Sequence, residues 1–135
     1  MDLDRALSIS AAGMSAQSTR LRVVAENIAN RDSTGQQPGA DPYRRKTVTF
    51  ASRVDRELGA QTVRVARVGK DERAFPERFE PGHPAADARG YVKLPNVDSM
   101  VENMDMREAN RSYTANLAVL ETTRGMLLRA IETLR

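Results

Sequence analysis

Arg44, Arg45 and Lys46 stand together, and three adjacent cations suit contact with a phosphate or with an acidic protein surface. Taken alone, such a run is more simply read as a solvated strand edge that discourages aberrant pairing. Asn27 and Asn30 flank Ile28-Ala29, and their amides suit either of two tasks: satisfying backbone groups at a helix end, or contacting a neighbouring chain. His83 lies between Gly82 and Pro84 with no second histidine and no cysteine in the chain, so it lacks the partners a metal site needs. Glu77, Glu80 and Asp87 in the same stretch read as solvated charges. No Ser/His/Asp set, glycine-rich phosphate loop or paired-carboxylate motif occurs. The lack of cysteine also removes disulfides and thiol nucleophiles. No catalytic, cofactor-binding or metal-ligating residue is assigned, and the chain reads as a protein that is not an enzyme and uses no cofactor.

Such residues need elements to hold them, and the apolar pattern calls for two long helices. Leu3, Leu7, Ser10, Met14, Gln17, Leu21, Val24 and Ile28 step by alternating fours and threes, which is a heptad seam. This predicts one amphipathic helix from Leu3 to Ile28, about 39 Å long at 1.5 Å per residue. Asp2 is its expected N-cap, Asp4 favours the dipole of the first turn, and Asn30, Gly35 and Pro38 mark the stop. Near the C-terminus Met106, Asn110, Tyr113, Leu117, Leu120, Arg124, Leu127, Ile131 and Leu134 repeat the pattern. Asn96 after Pro95 is one expected N-cap, and Ser99-Met100-Val101-Glu102 offers a capping box instead. Met100, Met104, Met106 and Met126 read as core or interface filler, and Tyr113 as a core ring whose hydroxyl reaches the margin. Gly125 should cost the helix about 1 kcal/mol relative to alanine, so a close helix contact is expected there. Ala11-Ala12-Gly13 and Ala16 are either a second point of close approach or a helix-favouring stretch interrupted by one glycine.

Between the helices the period changes to two. Tyr43 to Phe50, Gln61 to Val68 and Gly90 to Leu94 read as short strands. Residues 31–42 lack apolar periodicity and read as a mobile loop, and 73–89, with Pro76, Pro81 and Pro84, as an extended one. The expected fold is thus mainly α with a small β insert. The long N- and C-terminal helices pair as an antiparallel, coiled-coil-like bundle, and the chain divides into a helix over 1–30, a loop and β insert over 31–95, and a helix over 96–135. Polar Ser10, Gln17, Asn110 and Arg124 on the seams weaken an isolated pair, so full ordering of the helices is expected only against neighbouring subunits.

The net charge of +3 is uneven, because 31–95 holds thirteen basic and nine acidic groups while the flanking segments nearly balance. With the interleaved strand Gln61 to Val68, this suggests a small basic nucleic-acid-binding domain as the alternative function. Acids interspersed among the bases and an aromatic content of 4% weaken it, since single-strand binding relies on stacking platforms. The N-terminus opens acidic and spaces its apolar residues along a helix, unlike a cleaved signal peptide. No run approaches the ~20 apolar residues that span a bilayer, so no direct membrane insertion is expected.

The first helix ends in Ala25-Glu26-Asn27-Ile28-Ala29-Asn30, which resembles the Asn-Ile-Ala-Asn signature of flagellar basal-body rod and hook proteins. Ser8 to Gln17, then Thr19-Arg20-Leu21, and the longer polar loop running into Pro42-Tyr43-Arg44-Arg45-Lys46 resemble the proximal-rod (FlgC) type of that family. Gly90-Tyr91-Val92, Pro95-Asn96-Val97, Met104-x-Met106 and Ala109-Asn110-Arg111-Ser112-Tyr113-x-Ala115-Asn116 are similar to the family's C-terminal half. The likeness covers roughly 1–50 and 90–135 and leaves 51–89 as a variable insert.

This resemblance implies a structural subunit of the proximal rod of the bacterial flagellar basal body, a drive shaft that transmits motor torque for motility. It implies location in the periplasmic space and export by the flagellar type III apparatus without a cleaved signal peptide. It also implies a hetero-oligomeric helical assembly with proximal and distal rod subunits and with the adaptor joining rod to membrane ring, and no nucleic acid. The assembly interface it implies comprises Leu3, Leu7, Met14, Leu21, Val24, Asn27, Ile28 and Asn30 on the first helix. On the second it comprises Met106, Tyr113, Leu117, Leu120, Leu127, Ile131 and Leu134. In that setting Arg44, Arg45 and Lys46 are expected to meet an acidic neighbour in the rod.

Overall fold

The computed structural model describes residues 3–135 and follows the order α1 (Leu3–Ala29), β1 (Lys46–Asp55), β2 (Ala60–Lys70), β3 (Glu77–Phe79), β4 (Tyr91–Lys93) and α2 (Ser99–Thr133). The expected N-cap, Asp2, lies outside the described residues. These elements make two compact units. One comprises the described part of Met1–Leu21 with Val48–Arg67 and Met106–Arg135; the other comprises Arg22–Thr47 and Val68–Asp105.

In the first unit α1 and α2 run antiparallel, since Gly13 lies against Asn116 and Arg20 pairs with Glu108 further along α1 and earlier on α2. On α2 the buried line lies one residue before the predicted seam, while on α1 it keeps the seam position Ser10 and then shifts by one residue at Gly13 and Ala16. Ser10, Gly13 and Ala16 are buried on α1, with Ala109 and Thr123 on α2, whereas the expected seam residues Asn110 and Arg124 are exposed. Small side chains let helix backbones approach, and the larger Leu7, Met14, Leu21, Leu117 and Leu120 flank the contact half-buried. The close approach lies at Gly13, where an added Cβ would sit 2.9 Å from the Asn116 amide. It does not lie at Gly125, whose nearest neighbour would be Arg129 at 3.8 Å.

In the same unit β1 and β2 form a two-stranded ribbon whose turn, residues 56–59, is too short for anything but an antiparallel pair. The Asp55 carboxylate accepts the N–H groups of Glu57 and Leu58, and Gly59 closes the turn at a φ of 59°. β1 extends five residues beyond the expected Phe50.

The second unit holds the end of α1, the start of α2 and the ribbon β3–β4, antiparallel with Phe79 opposite Tyr91. β3 lies inside the segment expected to be an extended loop, where Pro76 and Pro81 just outside the strand mask it. Gly90, at a φ of 85°, leaves room for Phe79, which an added Cβ would approach at 2.9 Å. Residues 31–42 form no helix or strand, yet Ser33 accepts the N–H of Tyr43, Thr34 meets His83, and Gly39 donates to the carbonyl of the buried Ala85. The N-cap of α2 is Asp98, whose carboxylate accepts the N–H of Met100 at 2.9 Å. Neither expected cap is used: Asn96 and Glu102 are buried and bonded elsewhere.

Candidate assembly surfaces and the polar clamp

Asn27 is 1% exposed, and its amide grips one residue of β1 from both sides. Its Nδ2 donates to the Lys46 carbonyl at 2.9 Å, and its Oδ1 accepts the Lys46 N–H at 2.9 Å. Oδ1 also accepts the Tyr43 hydroxyl at 2.8 Å, and Nδ2 reaches the fully buried Glu102 carboxylate at 3.2 Å. Burial pushes the Tyr43 phenol pKa up, which keeps the proton that this bond needs. Glu102 is in turn held by the Arg45 Nε, and the same guanidinium reaches Asp71 at 3.5 Å and Asp105 at 3.4 Å. A buried carboxylate is tolerated only with such pairing. Asn96 completes the cluster by accepting the Arg45 N–H at 2.8 Å and donating to the carbonyls of Asp71 and Arg73.

Hydrogen bonds from Arg73 hold the Asp71 carboxyl at about 2, well below its ordinary value. Lys46 Nζ lies 2.7 Å from Glu26, and this hydrogen bond pulls the Glu26 pKa down and the Lys46 pKa up. Arg44 donates to the carbonyls of Asp71 and Arg73 and stacks 4.2 Å over the Phe75 ring. The three bases expected to meet an acidic neighbour are therefore engaged within the chain, and the acids that Arg45 and Lys46 meet are its own. Asn27 likewise offers a partner no surface. Asn30 ends α1 instead: its Nδ2 donates to the Glu26 carbonyl at 2.8 Å and its Oδ1 accepts from Ser33. From sequence Glu102, Asn96 and Tyr43 read in other roles and Asp71 in none, because the clamp partners of all four lie 16 or more residues away.

The other expected interface positions differ in exposure. Val24 is buried, and Leu3, Leu7, Met14, Leu21, Ile28, Met106, Tyr113, Leu117 and Leu120 are half-buried. Leu127, Ile131 and Leu134 are 38%, 51% and 88% exposed, with Leu128 beside them. Met100 and Met104 are 74% and 65% exposed, which removes the reading of these two as core filler. Leu3, Ala6, Ala118, Val119, Thr122 and Met126 line an apolar recess of about 420 Å³ in the first unit.

Two family models match: one described as flagella basal body rod protein, over residues 7–37, and one described as the C-terminal region of the flagellar basal body rod FlgEFG proteins, over 88–133. The flagellar basal-body rod protein FlgC of Agrobacterium fabrum is 53% identical over 98% of this chain and 96% of its own length. The chain belongs to the FlgC family of flagellar basal-body rod proteins. FlgC of Salmonella typhimurium is 44% identical over 97% of each chain, and FlgC of Bacillus subtilis 36% identical over 93% of this chain and 94% of its own. Membership in the FlgC family makes the chain a structural protein of the flagellar basal body, not an enzyme, that assembles with other rod components. The nucleic-acid alternative finds no support in the FlgC family. No described helix is long and apolar enough to cross a membrane.

Proposed function

We propose that the chain is a subunit of the proximal rod that polymerises through the outward apolar positions of α1 and α2 and transmits motor torque. The observation that carries this is the inversion of side-chain size in the helix pair. Ser10, Gly13, Ala16, Ala109 and Thr123 are buried inside one chain, while Leu127, Leu128, Ile131 and Leu134 remain exposed. Apolar side chains left in water gain about 1.5–3 kcal/mol each when a neighbour covers them, so the free energy of burial is realised on assembly. Packing many subunits this way resists shear without any catalytic group. Proximal and distal rod subunits and the adaptor to the membrane ring are the partners that fit, in the periplasmic space. Export by the flagellar type III apparatus without a cleaved signal peptide is part of the same proposal.

The test is a pair of variants, Leu127→Asp and Ile131→Asp, in a strain lacking the native subunit. Both positions are exposed, so the chain should fold and be exported in normal amount while rods and swimming are lost. Normal swimming by both would refute the assembly role of this surface.

A further inference from the structure

The β1–β2 ribbon between Val48 and Arg67 carries Arg53, Arg56, Arg64 and Arg67, all exposed. None of the four side chains has a hydrogen bond or ion pair among the described residues. The arginines and lysines of 20–46 and of 73–93 are all held by carboxylates or carbonyls of the chain, whereas Lys70 and the arginines of α2 share the ribbon's exposure. Of the ribbon's two acids, Asp55 has its carboxylate turned to the N–H groups of Glu57 and Leu58. Four arginines against Asp55 and Glu57 leave two positive charges in excess on this short ribbon. Aliphatic surface is interleaved with them, Val54 being 59% and Val63 37% exposed. At the tip, residues 53–57 line an open recess of about 570 Å³.

We propose that this ribbon docks onto an acidic face of a different protein subunit, its arginines meeting carboxylates while Val54 and Val63 are covered. The proposal rests on the rod reading. Carboxylates such as Glu26, Asp71, Glu102 and Glu108 hold bases of this chain, and a second copy, which would have to offer the exposed Glu72, Glu121 or Glu132 instead, is the outcome that revertants confined to this chain would mark. A uniform polyanion fits poorly as well: Asp55 and Glu57 repel it, and exposed valines gain nothing from it, whereas protein surfaces combine charge complementarity with apolar contact. Charge that only discourages strand pairing would work with either sign.

That difference sets the experiment. In a strain lacking the native subunit, the full chain is supplied as wild type, as Arg53→Glu/Arg64→Glu and as Arg53→Lys/Arg64→Lys, with circular dichroism and exported amount confirming equal folding. The lysine pair should swim as wild type and the glutamate pair should lose swimming. Revertants of the glutamate pair should neutralise or reverse a carboxylate in another rod subunit. Normal swimming by the glutamate pair overturns the proposal, as does equal loss in the lysine pair. Revertants confined to this chain, or none from a saturating selection, also overturn it. So does wild-type binding to heparin or phosphatidylglycerol vesicles at about 0.15 M salt that the glutamate pair loses. A wild-type chain that fails to restore rods refutes the rod reading itself, which separates the two failures.

Discussion

Asn27 and Asn30 occupy the two ends of one short motif, and the structure assigns them costs that differ severalfold. Replacing Asn27 by alanine strips the Lys46 N–H and carbonyl of their partner and removes an acceptor from Tyr43 and a donor from Glu102. An unmade hydrogen bond in a buried setting costs about 1–3 kcal/mol. Two main-chain groups of a half-buried residue then give about 2–4 kcal/mol, a large part of the ~5–15 kcal/mol that stabilises a typical domain. Asn30→Ala is milder, because the Glu26 carbonyl keeps its bond from the Asn30 N–H at 3.1 Å, and we expect about 0.5–1 kcal/mol. Asn27→Asp supplies the decisive control. It preserves the acceptor used by Lys46 and Tyr43 but sets a second carboxylate against Glu102 and the Lys46 carbonyl, so at neutral pH it should destabilise at least as much as alanine. Urea unfolding of the soluble full-length chain, followed by far-UV circular dichroism, measures all three. If Asn27→Ala falls within about 0.5 kcal/mol of Asn30→Ala, or if Asn27→Asp is tolerated, the clamp does not work as described.

Two further predictions concern acid and helix packing. The Asp71 carboxyl titrates at about 2 when folded against an ordinary 3.8, so its contribution is complete above about pH 4 and is lost as pH falls toward 2. Asp71→Asn should flatten that part of a thermal-melting profile, and an unchanged acid limb would contradict the assignment. Gly125→Ala should raise stability by up to about 1 kcal/mol, since the added methyl meets only the Arg129 side chain at an ordinary contact of 3.8 Å. Gly13→Ala should fail to do so because of Asn116, and Asn116→Ala should restore the gain. Equal melting shifts for the two glycine variants would refute the close approach at Gly13.

How far the sequence discloses this structure depends on the range of the interaction that sets each part. The helices are legible because their period persists through 27 and 35 residues, and propensity and amphipathicity agree over that length. Their inner line is only partly so: Ser10 falls on the apolar seam and Gly13 and Ala16 stand out as a small-residue patch, but Ala109 and Thr123 carry little weight in an apolar count, although small size is what brings backbones together. β3 is three residues long and flanked by prolines, so its strand character comes from pairing with β4 and not from its own pattern. The charges of Arg44, Arg45 and Lys46 were visible as a run, but their partners at Asp71, Glu102 and Glu26 are set by the fold. Asn27 is recognisable as part of a family signature while its task as an internal grip is not, since that depends on where Lys46 arrives.

The amide of Asn27 has the same donor and acceptor as a peptide group, and it meets Lys46 as the next strand of a sheet would. A side chain on a helix thereby fixes which residue of β1 occupies the first rung. Sliding β1 by one residue would offer Arg45 or Thr47 in place of Lys46 and turn every later side chain of the strand to the opposite face. Arg45 would then lose its place beside Glu102, so the alternative alignment is penalised twice. The Asp55–Gly59 turn aligns β1 with β2, and the helical Asn27 selects the residue at which β1 begins.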